Sequence, residues 1–328
     1  MATLKLFNTY VQSSYSIVGK LEKEGPLGIY FDKDVKDIYA GQETFEKGEI
    51  EVLKQTIQGA IDKSKLKLYE IEIAFGGDLT NQIAVSNYVM QNYPMSFIGV
   101  YGACSTSMLS LALAALYVEK NNYKNAIAFA SSHNQTAEKQ FRFPNEYGVQ
   151  KSPNATFTVT GSSAIIVGRK QTSIRISSVT LGRVIDSKLD DSSDLGSAMA
   201  LAALDTLKKH LFATNTKASD YDLIVTGDLS AVGSKVLKQM ARYEGIELTK
   251  YNDCGLMIYN RHKQEVYAGG SGCACCGVVT AGYLLKLLER GIYKKILVIG
   301  TGALFSPMTF QQTQTIPSIA HCVCLEGC

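Results

Sequence analysis

The sequence predicts an α/β fold in which one unit of alternating strands and helices occurs twice. Three landmarks follow one another in the same order in both halves of the 328-residue chain. The first is a strand that ends in Gly-Asp, at residues 69–78 and 219–228. The second is a glycine turn before an apolar helix, at 102–104 and 272–274, and the third is a further strand, at 124–130 and 294–300. We therefore expect two βαβαβ halves, residues 1–170 and 171–328, related by a pseudo-twofold axis with Asp78 over Asp228 and Gly102 over Gly272.

Hydrophobic spacing places the elements of the first half. Residues 49–63 have apolar side chains at Ile50, Leu53, Ile57 and Ile61, the spacing of one helix face. The pattern then predicts a strand at 71–75, a helix from about Asn81, a strand at 96–100, a helix at 105–119 and a strand at 125–130. A polar loop is predicted at 131–154, followed by a strand at 156–167.

The second half repeats this scheme. Strands are predicted at 174–185, 221–226, 295–299 and 321–325, and helices at 196–211, 231–243 and 275–290. Alternation of this kind implies right-handed crossovers and mainly parallel sheets. The boundary between the halves is expected near residues 170–172.

Composition excludes several classes of function. A net charge of +3 and scattered Lys and Arg residues argue against a nucleic-acid partner. The longest apolar stretches, such as 109–118, are about half the ~20 residues that a bilayer span needs. The first residues contain no apolar signal-peptide core, so we expect a soluble chain made in the cytoplasm.

Seven of the eight cysteines stand at position 254 or later. Their C-x-C-C and C-x-C spacings, in apolar surroundings, lack the C-x-x-C pairs of zinc sites. We expect buried, inert thiols and no metal site, with metal binding and redox chemistry as the alternatives.

A cysteine placed just after a strand, at the start of an apolar helix in a duplicated α/β chain, resembles the thiolase superfamily. Longer blocks resemble one family of that superfamily, stage V sporulation protein AD of spore-forming bacteria. These blocks extend from about residue 24 to about residue 321 and are found at 25–28 (Gly-Pro-Leu-Gly), 102–108, 131–134, 140–142, 182–186, 252–259 and 269–275.

The resemblance implies binding of dipicolinic acid (pyridine-2,6-dicarboxylate) and a part in its import into the developing spore, with a link to germination. It also implies association with other SpoVA membrane proteins at the spore inner membrane. It leaves open whether calcium is bound by the protein or travels only as the calcium–dipicolinate complex, and whether the chain forms a homodimer.

Cys104 stands where a reactive cysteine would. Backbone N–H groups at a helix start favour a thiolate, and in the acyl-transferring relatives this position carries the acyl group. The alternative is a small buried residue at a crowded helix start.

The catalytic partners decide between these interpretations. A condensing enzyme needs a histidine, and a second histidine or an asparagine, to polarise the thioester carbonyl. In the β-ketoacyl synthase type the histidine follows the strand that here reads Leu-Ile-Val-Thr, and this chain has Gly227-Asp228 there. The corresponding asparagine loop, 269–272, contains no asparagine. We therefore expect Cys104 to be a vestigial nucleophile in a non-catalytic binding pocket.

Two other functions stay open from sequence. One is an active acyltransferase or β-ketoacyl synthase that uses Cys104 on a thioester, and the other is a structural subunit with an empty pocket. The residues expected to bind the ligand are Cys104, Ser105, Thr106, Asp228, Asp253, Cys254 and His321.

Some of these candidates have a plainer interpretation. Asp78 and Asp228 fit helix N-caps at strand-to-helix turns. Asp253 and Cys254 fit a simple turn as well as a pocket wall. Lys139 and Arg142 are cations that could meet an anionic ligand or form surface ion pairs.

Overall fold

The computed structural model describes residues 2–120, 123–141 and 151–328 and arranges them in layers of helices and sheet. The strands are β1 (Ala2–Lys5), β2 (Tyr10–Val18), β3 (Lys33–Asp34), β4 (Ile73–Gly77), β5 (Ser96–Gly99), β6 (Asn125–Ser132), β7 (Phe157–Thr158), β8 (Gly161–Gly168), β9 (Ile174–Leu181), β10 (Ile185–Asp186), β11 (Leu223–Thr226), β12 (Tyr251–Asp253), β13 (Gly270–Ser271), β14 (Lys295–Ala303) and β15 (Pro317–Gly327). The helices are α1 (Lys20–Lys23), α2 (Phe45–Ser64), α3 (Ala84–Met90), α4 (Thr106–Lys120), α5 (Asn134–Phe141), α6 (Leu195–Thr214), α7 (Ser230–Tyr243), α8 (Cys254–Met257), α9 (Cys273–Val279), α10 (Leu285–Glu289) and α11 (Pro307–Gln311).

The sheet contains the same strand order twice. Along its main path the strands run β12-β11-β14-β15-β9-β2-β8-β6-β4-β5, and the central step joins β9 to β2 through Tyr10 and Arg175. In each half a central strand pairs in parallel with both neighbours, and the next two pairings are antiparallel. The duplicated α/β fold predicted from the sequence is therefore observed. The division at residues 170 and 171 stays a prediction.

Apolar cores lie between the layers of helices and sheet. One lies between α2 and the first-half strands and includes Leu53 and Ile127, and another lies between α6 and the second-half strands and includes Leu207 and Leu297. The largest core surrounds α4 and α9, which pack between the two halves of the sheet. The starts of these central helices consequently lie at the seam between the halves.

Local signals explain the long outer helices. The Thr44 hydroxyl accepts a hydrogen bond from the Lys47 amide at the start of α2, and Asp194 accepts one from the Ser197 amide at the start of α6. Both helices end at a residue with left-handed backbone, Lys65 and Asn215.

Several predicted elements need correction. The loop predicted at 131–154 contains α5, because one face of this segment buries Ala137 and Glu138. The helix predicted from Asn81 begins as a 3₁₀ turn (Asn81–Ile83), and the one predicted at 275–290 contains a π-helical turn (Thr280–Leu284). The strand predicted at 174–185 ends at Leu181. In the described ranges, no helix is both long and apolar enough to cross a bilayer.

Candidate ligand-binding site

A cavity of about 230 Å³ opens at the seam between the two halves of the sheet. Residues from both halves form its walls, which are mainly apolar. The apolar lining includes Leu79, Ala137, Phe141, Leu195, Met199 and Phe305, and the polar lining includes Cys104, Glu138, Lys151, Thr158, Asp228 and Ser271.

Cys104 lines this cavity from the turn between β5 and α4. The preceding residue, Ala103, has a φ of 49°, a left-handed conformation that is uncommon for a residue with a Cβ. Two hydroxyls fix the turn, since Ser105 Oγ donates to the Gly102 carbonyl at 2.6 Å and Thr106 Oγ1 donates to the Ala103 carbonyl at 2.6 Å. Strained backbone of this kind persists where surrounding contacts hold it in place, as these two hydrogen bonds do. The turn presents the Cys104 thiol to the cavity.

Ser105 and Thr106 therefore have structural contacts. Both side chains are fully buried and neither lines the cavity. The sequence placed them beside Cys104 correctly, but it could not show that their hydroxyls turn back onto the backbone.

Asp228 lines the same cavity as Cys104, and its carboxyl group interacts with the thiol. Its carboxyl group also accepts from Thr301 Oγ1 at 2.7 Å and from the Gly272 amide at 3.1 Å. These partners come from three separate segments that meet at the seam. The cavity therefore combines a thiol with a carboxyl group, and no histidine is among its described lining residues.

Burial sets the protonation of both groups. It raises the pKa of the Cys104 thiol well above 9.0, and the neighbouring Asp228 raises it further. Burial also raises the pKa of Asp228 to about 7. The helix start alone favours a thiolate, but desolvation and the adjacent carboxyl group outweigh it, so Cys104 is a neutral thiol at neutral pH.

Asp253, and not Asp228, accepts hydrogen bonds from the backbone amides at the start of α7. Its carboxylate accepts from the Leu229 amide at 2.9 Å, the Ser230 amide at 3.0 Å and Thr226 Oγ1 at 2.6 Å, at the beginning of α7. The N-cap interpretation of Asp228 is therefore wrong, because its oxygens turn to the seam. Asp253 and Cys254 are fully buried and do not line the cavity.

His321 lies on β15 directly opposite Gly300 of β14. A Cβ on Gly300 would meet Met108 of α4 and the Ser105 carbonyl, and residues directly opposite each other share a sheet face. His321 is thus on the side of the sheet that faces the start of α4, but it is not among the described cavity-lining residues. Its Nδ1 accepts from the Gly182 amide at 3.2 Å, and burial lowers its pKa to about 4.

Two charged residues of the cavity were missed from sequence, Glu138 and Lys151. Glu138 lies on the inner face of α5, one turn after Asn134 and one turn before the apolar Phe141. That helical spacing was the available signal, but the polar composition around it favoured a loop. For Lys151 the sequence offered no signal.

The other predicted cations are placed differently. Lys139 forms an ion pair with Glu46 at 3.1 Å and does not line the cavity. Arg142 lies outside the described residues.

The cysteines are mostly buried, as predicted. All eight are free, six are buried, Cys104 is partly accessible and Cys328 is exposed. Over residues 2–120, 123–141 and 151–328, the structure contains no group of three or more His, Cys, Asp and Glu side chains arranged to hold a metal ion.

Comparisons with known proteins agree with this architecture. The chain is similar to 3-oxoacyl-[acyl-carrier-protein] synthase III from Aquifex aeolicus, with a TM-score of 0.59, 14% identity and coverage of 97% of this chain and 99% of that one. It is also similar to OleA from Xanthomonas campestris, with a TM-score of 0.61, 13% identity and coverage of 98% and 99%. These structures show the thiolase-like fold.

Sequence comparison gives the family. The chain is 45% identical to stage V sporulation protein AD of Bacillus subtilis (strain 168) over 318 residues, which cover 97% of this chain and 94% of that protein. The family profile of stage V sporulation protein AD matches residues 2–326. The chain therefore belongs to the stage V sporulation protein AD family, a sporulation family with a thiolase-like fold.

Proposed function

We propose that this chain binds dipicolinate in the seam cavity beside Cys104, without catalysing acyl transfer, and takes part in moving it into the developing spore. Membership of a sporulation family and the presence of a cavity at the old active-site position support this proposal. The partners proposed with it are the SpoVA membrane proteins at the spore inner membrane and a second copy of the chain. Calcium is proposed to travel with the ligand.

One observation carries the proposal, namely that Cys104 shares its cavity with the carboxyl group of Asp228 and that no histidine is among the described lining residues. A condensing enzyme needs a thiolate and donors aimed at the thioester oxygen. Here Asp228 raises the pKa of the thiol, and its own carboxyl oxygens already accept from Gly272 and Thr301. This arrangement disfavours a nucleophile and leaves a shaped cavity.

The lining suits a flat aromatic acid. Apolar side chains such as Met199, Ala137 and Phe305 can contact the two faces of a pyridine ring. Hydroxyl groups of Thr158 and Ser271 and the ammonium group of Lys151 lie in the same lining and can donate to carboxylates. With its pKa near 7, Asp228 also donates a hydrogen bond while it is protonated.

Isothermal titration calorimetry with dipicolinate tests the proposal. Replacing Cys104 with Phe fills the space beside Asp228, so we expect affinity to fall at least about tenfold. The exposed Cys328→Ser variant is the matched control and keeps wild-type affinity. Absence of binding to the wild type at millimolar dipicolinate would overturn the proposal. If Cys104→Phe has the wild-type melting temperature and unchanged affinity, the ligand does not bind in the seam cavity.

The acyltransferase alternative has its own test. Mass spectrometry after incubation with acetyl-CoA or malonyl-CoA detects an acyl group on the chain. We expect no adduct at Cys104, because the thiol is neutral and lacks a histidine partner. An adduct that forms in the wild type and is absent from Cys104→Ala would replace the binding proposal with the enzymatic one.

A further inference from the structure

We propose that Lys151 pairs with the second carboxylate of the ligand and that Glu138 holds the Lys151 ammonium group in the empty cavity. This inference rests on the proposed binding of a planar aromatic dicarboxylate and assigns the residue pair that distinguishes it from a monocarboxylate. Glu138 would then lower the affinity, because its negative charge repels the ligand that shares the same cation.

The position of Lys151 is well defined by its contacts. Its Nζ lies 2.9 Å from Glu138 Oε1, and its side chain is 24% exposed. The ammonium group also lies 5.6 Å from the centroid of the Phe157 ring and 6.0 Å from that of Tyr267. Two aromatic rings and a carboxylate thus hold a positive charge at the cavity wall.

The charges around the cavity make this cation necessary for a dianion. In the described part of the lining, Lys151 is the single Lys, Arg or His residue, whereas Glu138 and Asp228 both contribute carboxyl groups. A doubly negative ligand would meet repulsion from these acids unless a positive charge pairs with it. Glu138 is buried with 5% exposure, so its negative charge is poorly screened by water.

Lys151 can bind a ligand carboxylate while it keeps its contact with Glu138. A lysine ammonium group has three N–H donors, and one of them is directed at Glu138. A ligand carboxylate can accept from another, so that Lys151 bridges the ligand and Glu138. The two residues then have opposite effects on affinity, since Lys151 attracts the dianion and Glu138 repels it.

A cycle of two ligands and three variants tests the inference by calorimetry. The ligands are dipicolinate and pyridine-2-carboxylate, which lacks the second carboxylate. We expect Lys151→Gln to weaken dipicolinate binding by about 10-fold or more and pyridine-2-carboxylate binding by less than about twofold, as for one lost charge-assisted hydrogen bond. We expect Glu138→Gln to tighten dipicolinate binding by about threefold or more, and Lys151→Arg to keep affinity within about threefold.

The melting temperature of each variant, measured in parallel, separates binding from folding. A purely structural ion pair predicts that Lys151→Gln and Glu138→Gln weaken both ligands alike, and that result would overturn the inference. If the wild type binds dipicolinate and Lys151→Gln binds it with the same affinity, this inference is wrong and the proposed function stands. Failure of the wild type to bind dipicolinate would overturn the proposed function and this inference with it.

Discussion

Asp78 and Asp228 stand at corresponding places in the two halves, yet their carboxyl groups have different kinds of partner. Each follows a glycine at the end of a buried strand, β4 or β11, and each is almost completely buried. Asp78 is satisfied locally, by the amides and hydroxyls of Thr80 and Ser86. Asp228 accepts hydrogen bonds across the seam, from the Gly272 amide and the Thr301 hydroxyl, and it interacts with the Cys104 thiol.

The surroundings differ in the same way. Beside Asp78 the buried Glu49 accepts from Ser131 Oγ at 2.8 Å and Thr136 Oγ1 at 2.8 Å, and neither acid lines a described cavity. Beside Asp228 the cavity opens. A duplicated fold supplies two equivalent strand ends. Here buried side chains surround Asp78 at the first, and a cavity lies beside Asp228 at the second.

The largest expected effect is on stability. Asp78→Ala leaves two amides and two hydroxyls without their acceptor inside the protein, which is expected to cost about 3–5 kcal/mol of unfolding free energy. Asp228→Ala should cost only about 1–2 kcal/mol, because water in the cavity can satisfy Gly272 and Thr301. Urea denaturation of both variants measures this. Equal losses would show that the two sites do not differ as described.

The next effect is a pH dependence that belongs to the first half. Burial, with a contribution from Asp78, raises the pKa of Glu49 to about 8, from an ordinary value of 4.5. The folded chain therefore retains a proton that the unfolded chain releases, and stability falls as pH rises toward 8. Buried histidines with lowered pKa oppose this trend below about pH 6.5, so the Glu49 contribution is clearest between pH 7 and 8.

Glu49→Gln tests that assignment. We expect the wild-type unfolding free energy to drop by about 1 kcal/mol from pH 7 to pH 8, and most of this drop to be lost in the variant. Asp228→Asn is the matched control and should keep most of the drop, because the pKa of Asp228 is about 7. A wild type that gains stability over this interval would contradict the account.

A smaller effect concerns the reactivity of the cavity thiol. We expect iodoacetamide to modify Cys104 at least about tenfold more slowly than the exposed Cys328 at pH 7.5, because burial and Asp228 raise the pKa of the Cys104 thiol. Asp228→Asn should accelerate the reaction at Cys104 and leave Cys328 unchanged. Rapid modification of Cys104 with an apparent pKa below 7 would show that it retains a reactive thiolate.

The sequence predicted those features that depend on local pattern. The repeated strand ends identified Asp78 and Asp228, and the strand–turn–helix pattern identified Cys104. Local pattern does not determine where a side chain points. The sequence therefore did not show that Asp253 caps α7 and that Asp228 lines the cavity. Glu138 and Lys151 line the same cavity as Cys104 only because distant segments fold together, and no spacing along the chain indicates that proximity.

The most direct test of the central claim is a crystal structure of the chain soaked with dipicolinate. We predict the pyridine ring between the apolar walls of the seam cavity, with one carboxylate beside Cys104 and Asp228 and the other within hydrogen-bond distance of Lys151 Nζ. The strand end at Asp78 should stay closed and without ligand. Dipicolinate bound at Asp78 or on the outer surface, with the seam cavity empty at saturating concentration, would contradict the account.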